Sequence, residues 1–229
     1  MATPSLQLPD IESMQAEDVL RWAYGEFGAR LCLTCSWQKQ SSVLVHMVSE
    51  LGLDLPIVEL DTQLFFRETY ETRDALVERY GLELITPHVI TVAEQHRREG
   101  PNLWERDPDR CCEKRKVRPL RSALEGFDAW ITAIRRDQTP ERANAQRVEQ
   151  DQKFGLVKVN PLVAWTHDDV WAHIYKNDVP FNPLHQQGYP SIGCRPCTSA
   201  VLPGENLRAG RWRGSAKKEC GLHAPAKEG

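Results

Sequence analysis

A mostly parallel, doubly wound α/β sheet with helices on both faces is the fold this sequence predicts. Two observations carry it. Short apolar runs alternate with segments of helical period along the first 180 residues, the pattern of a parallel sheet covered on both sides. The chain of 229 residues is also long enough for one well-packed domain with a small appendage.

Taken in order, the elements justify that reading. Ser13 to Tyr24 reads as an amphipathic helix after a Pro-rich start, so 1–28 is expected to be a helical leader. Arg30-Leu-Cys-Leu-Thr-Cys-Ser36 is a short buried strand. In Ser41 to Leu51 the apolar residues Val43, Leu44, Met47, Val48 and Leu51 recur at helical spacing. Pro56 to Asp61 is a second strand, followed by a helix from Phe65 to Tyr80 that Gly81 stops. Leu82 to Thr86, Trp130 to Ile134 and Gly155 to Val159 complete the strands. Thr166 and Asp169 open a last helix in capping-box fashion and carry it to Lys176. The polar stretch from Arg136 to Gln150 is expected to be a mobile loop. The α/β domain thus spans 29–200, and the Gly-, Arg- and Lys-rich 201–229 reads as a mobile tail.

Composition narrows the function classes. The 41% hydrophobic and 27% charged content is that of a soluble globular protein. No apolar run reaches membrane-spanning length and no export signal opens the chain, so a cytoplasmic location without a membrane partner is expected. A net charge of −3 argues against a long nucleic acid as ligand. Basic residues nevertheless cluster at 110–121, at Arg135-Arg136 and at 208–218, which suits a small anion. Composition leaves self-association into a homo-oligomer open.

Seven cysteines in a reducing compartment point to ligands or reactive thiols rather than disulfides. Cys111-Cys112 sits in a strongly basic segment, and neighbouring side chains on one element point in different directions, so the doublet is a poor packing device. Cys194-Arg-Pro-Cys197 completes a four-thiolate set, which suits an iron–sulfur cluster or a structural zinc. Cys32, Cys35 and Cys220 remain. The first two lie in an apolar strand, where packing is the expected role. Open parallel sheets bind ligands at the carboxyl ends of their strands. Two loops occupy such ends: Cys35-Ser-Trp-Gln-Lys-Gln-Ser-Ser42, with hydroxyls, a lysine and a helix start for a phosphate, and Leu60-Asp-Thr62.

These pieces together resemble the sulfonucleotide reductases, in particular the iron–sulfur adenylyl-sulfate (APS) reductases of assimilatory sulfate reduction. The residues that carry the resemblance are Leu60-Asp-Thr62, Cys111-Cys-x2-Arg-Lys-Val-x-Pro-Leu120, Trp130-Ile-Thr-x-Ile-Arg-Arg-Asp-Gln138, Cys194-x2-Cys197, Arg208-Ala-Gly-Arg211 and Glu219-Cys-Gly-Leu-His223. The resemblance implies a PP-loop-type, adenine-nucleotide-binding fold and one [4Fe-4S] cluster on Cys111, Cys112, Cys194 and Cys197. It implies that Cys220 is the nucleophile, that Ser36, Lys116, Arg142, Arg208, Arg211 and His223 meet the anionic groups, and that Leu60 meets the adenine through its backbone. Adenylyl sulfate is then the substrate, and thioredoxin or glutaredoxin the reductant. A cluster-bearing reductase of the 3′-phosphorylated nucleotide PAPS is the alternative within the family. Outside it stand an ATP-dependent tRNA-thiolating enzyme of the same fold and a zinc-stapled nucleotide-binding module. Two departures from the family pattern fall near the nucleotide. Ser36-Trp-Gln-Lys-Gln-Ser41 stands for Ser-Phe-Gly-x-x-Asp, and Ala133 stands for a glycine.

Overall fold

The computed structural model describes residues 10–217 and 219–223. These form one six-stranded sheet: β1 (Leu31–Cys35), β2 (Ile57–Glu59), β3 (Leu84–Ile85), β4 (Ala129–Ile131), β5 (Val148–Asp151) and β6 (Leu156–Val159), in the order β3-β2-β1-β4-β6-β5. All pairs are parallel except β5–β6. The chain leaves β1 toward β2 and β3, then returns to the other side of β1 with β4. The strand order therefore reverses between β1 and β4, and a crevice opens at their carboxyl ends.

Each central strand is buried on both faces, with alternate residues in opposite cores. Leu31, Leu33 and Cys35 of β1, with Ala129 and Ile131 of β4, enter the larger core. That core is covered by α1 (Ala16–Phe27), α2 (Lys39–Glu50), α3 (Arg67–Tyr80) and, further along the chain, by His167–Lys176. Cys32, Val58 and Trp130 face the smaller core with Leu120, Leu124 and Leu156. A run of helices follows β3 before the chain reaches that face. They are α4 (Val92–Glu99), α5 (Leu103–Arg106), α6 (Pro108–Cys112), a π-turn (Glu113–Val117) and α7 (Arg118–Ala123). The last helix, α8 (His167–Lys176), opens with the expected capping box, the Thr166 hydroxyl taking the Asp169 N–H and the Asp169 carboxylate taking the Thr166 N–H. Gly81 ends α3 at φ +63°, the left-handed position a side chain disfavours. No helix among the described residues is long and apolar enough to cross a membrane.

The structure corrects two expectations. The stretch 136–150 is not an open loop: it makes two 3-10 turns, Arg136–Gln138 and Pro140–Arg142, and then β5. Strand β5 offers one apolar residue, Val148, in Val-Glu-Gln-Asp, because an edge strand half open to water needs little apolar surface. Helix α2 begins at Lys39 rather than Ser41.

Candidate active site

One cavity lies over the carboxyl ends of β1, β2 and β4 and is closed by the chain from Pro190 to His223. Ser36, Leu60, Lys116, Arg142, Arg208, Arg211, Cys220 and His223 all line it. Residues up to 187 positions apart in sequence, from Ser36 to His223, are brought together by the crossover topology and by the returning tail.

The loop after β1 forms one wall. Ser36 is tied to the first turn of α2: its N–H donates to Ser41 Oγ at 3.3 Å and the two hydroxyls are 2.9 Å apart. Trp37 adopts φ +56°, an uncommon conformation for a bulky residue. Its buried indole N–H donates to Glu59 Oε2 at 2.9 Å, and Glu59 Oε1 takes the Thr86 hydroxyl at 2.9 Å. The last residue of β2 therefore holds the loop in shape, immediately before Leu60. The Gln38 side chain accepts the Ile192 N–H at 2.9 Å, which joins this wall to the segment before Cys194. Lys39, 2% exposed, reaches into the cavity with its ammonium 5.1 Å from the Trp171 ring centroid. Burial, and then the charge of Arg135, push its pKa down to about 8. Arg135 pairs with Asp137 at 2.9 Å, and its Nη1 is buried without a partner.

The thiol shell lies behind Lys116, which lines the cavity while feeling the charge of Cys194 and Cys112; the four cysteines themselves are outside the lining. Cys111, Cys112 and Cys194 are buried and Cys197 is half-buried, all as free thiols. Asp107 caps α6 by accepting the Arg110 N–H at 2.9 Å, with Pro108 at the first helical position, so the doublet ends a short rigid helix. Residues adjacent on a helix point about 100° apart. The doublet can therefore reach two separate corners of a cluster more readily than one tetrahedral ion. Among the described residues no three His, Cys, Asp or Glu side chains converge on a single ion, yet Cys111, Cys112 and Cys197 each feel the charge of others in the set. Burial pushes Cys112 up to about 11 and Cys197 up to about 12, so ligation would release protons.

Around the thiols stands a polar shell that only the fold reveals. Buried Arg115 donates from Nε to Gln95 Oε1 and from Nη1 to the Thr62 carbonyl, each at 2.7 Å, while its Nη2 has no partner. Thr62 Oγ1 is 3.3 Å from Cys194 Sγ, and Gln95 Nε2 donates to Cys111 Sγ at 3.9 Å. Four thiols ringed by donors and by the cations Arg115 and Lys116 fit an anionic, sulfur-rich group.

The tail closes another side, and it is not a solvated appendage. Arg211 is buried; its Nη1 donates to Ser191 Oγ at 3.3 Å and to the Ile192 carbonyl at 3.2 Å. A methyl group on Gly193 would lie 2.3 Å from that guanidinium, and one on Gly210 would lie 2.0 Å from the Ser199 carbonyl oxygen. The glycine of Arg208-Ala-Gly-Arg211 is thus demanded by the close pass of two backbones, which the Ser199 N–H to Gly210 carbonyl bond of 2.9 Å records. Glu219 bridges Arg142 at 3.0 Å and Arg208 at 3.1 Å.

Cys220 follows. Burial alone would raise its pKa, but the Lys116 charge, the Leu222 N–H and the Arg211 charge outweigh burial and the adjacent Glu219, and hold it below the ordinary thiol value. Lys116 is the reciprocal case: burial disfavours its charge, while Cys194, Cys220 and Cys112 raise it. His223 stacks on Trp130 at 5.8 Å and 9°, and burial, then the nearby Arg142, Lys158, Arg208 and Lys153, press it well below the usual imidazole value. It is neutral at neutral pH and offers one donor and one acceptor. Cys35 also lines the cavity, but burial pushes it up to about 12, so it is inert beside Cys220.

Sequence reasoning had Lys39 only as the lysine of a loop suited to a phosphate, and it gave Arg135, Trp130 and Glu219 no cavity role although all three lay inside motifs already singled out.

Comparison with known proteins gives the family and the fold. Residues 30–200 match the phosphoadenosine phosphosulfate reductase domain. The adenosine 5′-phosphosulfate reductase 1 of Bacillus subtilis is 48% identical over 223 residues, covering 96% of each chain. A Geobacillus thermodenitrificans adenosine 5′-phosphosulfate reductase is 48% identical over 217 residues, covering 93% of this chain and 92% of the relative. Among solved structures, a Candida auris phosphoadenylyl-sulfate reductase in a phosphate complex superposes with a TM-score of 0.73 at 28% identity, over 87% of this chain and all of the other. A Candida glabrata FMN adenylyltransferase shares the fold alone, with a TM-score of 0.58 at 16% identity over 81% of this chain and 63% of its own. The chain belongs to the phosphoadenosine phosphosulfate reductase family.

Proposed function

We propose that this member of the family is an adenylyl-sulfate reductase of assimilatory sulfate reduction, releasing sulfite and AMP. One observation carries the reading: a thiol whose pKa is lowered in spite of burial shares a cavity with Lys116, Arg142, Arg208 and Arg211. An anionic nucleophile must attack an anionic sulfuryl group, and this cluster of cations offsets the repulsion; one well-placed group of this kind contributes about 3 kcal/mol. The nucleotide would rest against Leu60 and the loop from Ser36, with the phosphosulfate toward the arginines and neutral His223 donating to one of its oxygens.

In the first step Cys220 Sγ bonds to the sulfur, the sulfur–oxygen bond to AMP breaks, and AMP leaves with the electron pair. The enzyme then holds an S-sulfocysteine. A thiolate of thioredoxin or glutaredoxin attacks Cys220 Sγ and displaces sulfite. The partner's second thiol resolves the mixed disulfide, so the dithiol supplies both electrons. The tail 201–229 acts as the carrier that presents Cys220 first to the nucleotide and then to the reductant, in a cytoplasmic setting. Cys111, Cys112, Cys194 and Cys197 would hold one [4Fe-4S] cluster. When bound, it supplies a covalent tie between the α6 and 194–197 segments and sets the charge beside Lys116.

Incubation with adenylyl sulfate and no thiol should add one SO3 group to the Cys220 peptide, with stoichiometric AMP. In Cys220→Ser both should vanish while nucleotide binding persists. Label on any other cysteine would refute the assignment. A second reading, a reductase that also takes the 3′-phosphorylated nucleotide, is favoured by Lys39 and Arg135. Both are buried cations in the cavity, with Asp137 as the carboxylate whose charge reaches them. Competing the two nucleotides in Lys39→Ala and wild type decides it: unchanged discrimination removes the second reading.

A further inference from the structure

Glu219 is a carboxylate in the wrong place for a merely structural ion pair. Its side chain is 11% exposed and its Oε2 takes both Arg142 and Arg208, two of the cations that the proposed substrate needs. Among the described residues its Oε1 is buried with no hydrogen-bond partner. Among the described residues other polar atoms of the same cavity are equally unsatisfied, Arg142 Nε, Arg211 Nε and His223 Nδ1 among them. Buried polar atoms are normally paired. One carboxylate with two oxygens, only one of them engaged, leaves donors that a phosphosulfate with more acceptor oxygens would satisfy.

We infer that Glu219 occupies, in the resting protein, the place that an anionic group of the substrate takes, so that the tail is latched by an internal carboxylate which substrate displaces. The inference rests on the proposed reading of this cavity as a sulfonucleotide site, and it adds a positioning residue to that reading. Two anions cannot share the arginine pair without repulsion, so binding and the latch exclude each other. Cys220 has attractions of its own, to Lys116, to the Leu222 N–H and to Arg211. Gly221 is held by Lys153, and Lys217 by Asp109 and the Trp212 ring. Release of Glu219 therefore frees the arginines without freeing the whole tail, and the thiol stays within the cavity while its neighbour leaves it. The apparent affinity for substrate is lowered by the fraction of chains in which the latch is closed.

The test uses the full-length, metal-loaded protein in a Cys220→Ser background, where adenylyl sulfate binds without turnover. Calorimetry with adenylyl sulfate and with AMP first establishes that the cavity binds the nucleotide; failure there sinks the proposed function and not the latch. Adding Glu219→Gln should tighten adenylyl sulfate binding by about tenfold, because the competing charge is gone. With Cys220 restored, Glu219→Gln without ligand should be alkylated at Cys220 several-fold faster than wild type, because the thiol stays in place but loses the adjacent charge that raises its pKa, read by peptide mass spectrometry. Glu219→Asp, which keeps the charge, should stay near wild type in both measurements and serves as the comparison if the Gln variant loads its metal poorly. Unchanged or weaker binding in Glu219→Gln, or a Glu219→Asp variant that tightens binding, would show that the carboxylate stays paired in the complex and would overturn the inference.

Discussion

The cavity has two working walls built on opposite principles. The loop after β1 is held by buried, short-range groups: the Trp37 indole on Glu59, Ser36 on Ser41, and Gln38 on the Ile192 N–H. It extends directly from a strand with no exposed neighbours in the core. The tail from Arg208 to His223 is held by charge: Glu219 between Arg142 and Arg208, and Lys217 on Asp109. The difference separates the two tasks of the proposed reaction. A nucleotide has to be met by a wall already in shape, since ordering a loop on binding subtracts from affinity. A nucleophile that must visit two partners in turn needs contacts that an incoming anion can replace. Ion pairs are exchangeable in that way, and buried hydrogen bonds to a strand end are not.

Lys116 gives the largest expected effect on the charged side. Lys116→Ala should lower kcat/KM by about a hundredfold. The Lys116 charge is the first of the influences that lower the Cys220 pKa against burial. Without it the pH profile of Cys220 alkylation should move to higher pH, so the thiolate fraction at neutral pH falls. A profile that stays in place would mean that Lys116 does not govern the thiol and that the charged wall is organised some other way.

Trp37→Phe tests the rigid side with a smaller effect. It removes the donor to Glu59 Oε2 while keeping the ring in its pocket. An unpaired buried acceptor costs about 1–3 kcal/mol, and the loss should appear in thermal stability and in KM for the nucleotide, with the alkylation rate of Cys220 unchanged. Should the variant change Cys220 reactivity, the two walls are coupled and the contrast drawn above fails.

Ionic strength gives the smallest effect and separates the walls without mutation. Screening weakens partly exposed pairs first. The Asp109 end of the Lys217 bridge is 72% exposed. Raising salt from low to physiological levels should speed Cys220 alkylation about twofold while hydrogen exchange at the amides of Ser36 to Gln38 stays constant. Salt-sensitive exchange there with a constant alkylation rate would reverse the assignment of which wall is held by charge.

How much of this was legible beforehand follows the range of the interactions. Strands β1, β2, β4 and β6 were legible because a strand buried on two faces must be a nearly continuous apolar run. Strand β5 was not, because its stability comes from the β6 ladder rather than from its own side chains. The helices between β3 and β4 escaped as well. They are short, two of them are capped by Thr91 and Asp107, and α4 to α6 bury few apolar side chains, so no apolar run marks them.

By itself the sequence determined the α/β alternation, the four-thiol set, the remaining Cys220 and, through its motifs, the family. All of these rest on residue type and spacing along the chain. The tertiary structure alone decided that Arg208 and Arg211 are buried cavity residues rather than a basic tail, that Arg115, Gln95 and Thr62 ring the thiols, and that Glu219 lies between two arginines. The physical reason is that charge and burial are properties of where a side chain ends up. A basic residue in a polar segment looks solvated until the fold shows which carboxylate, thiol or closed cavity surrounds it.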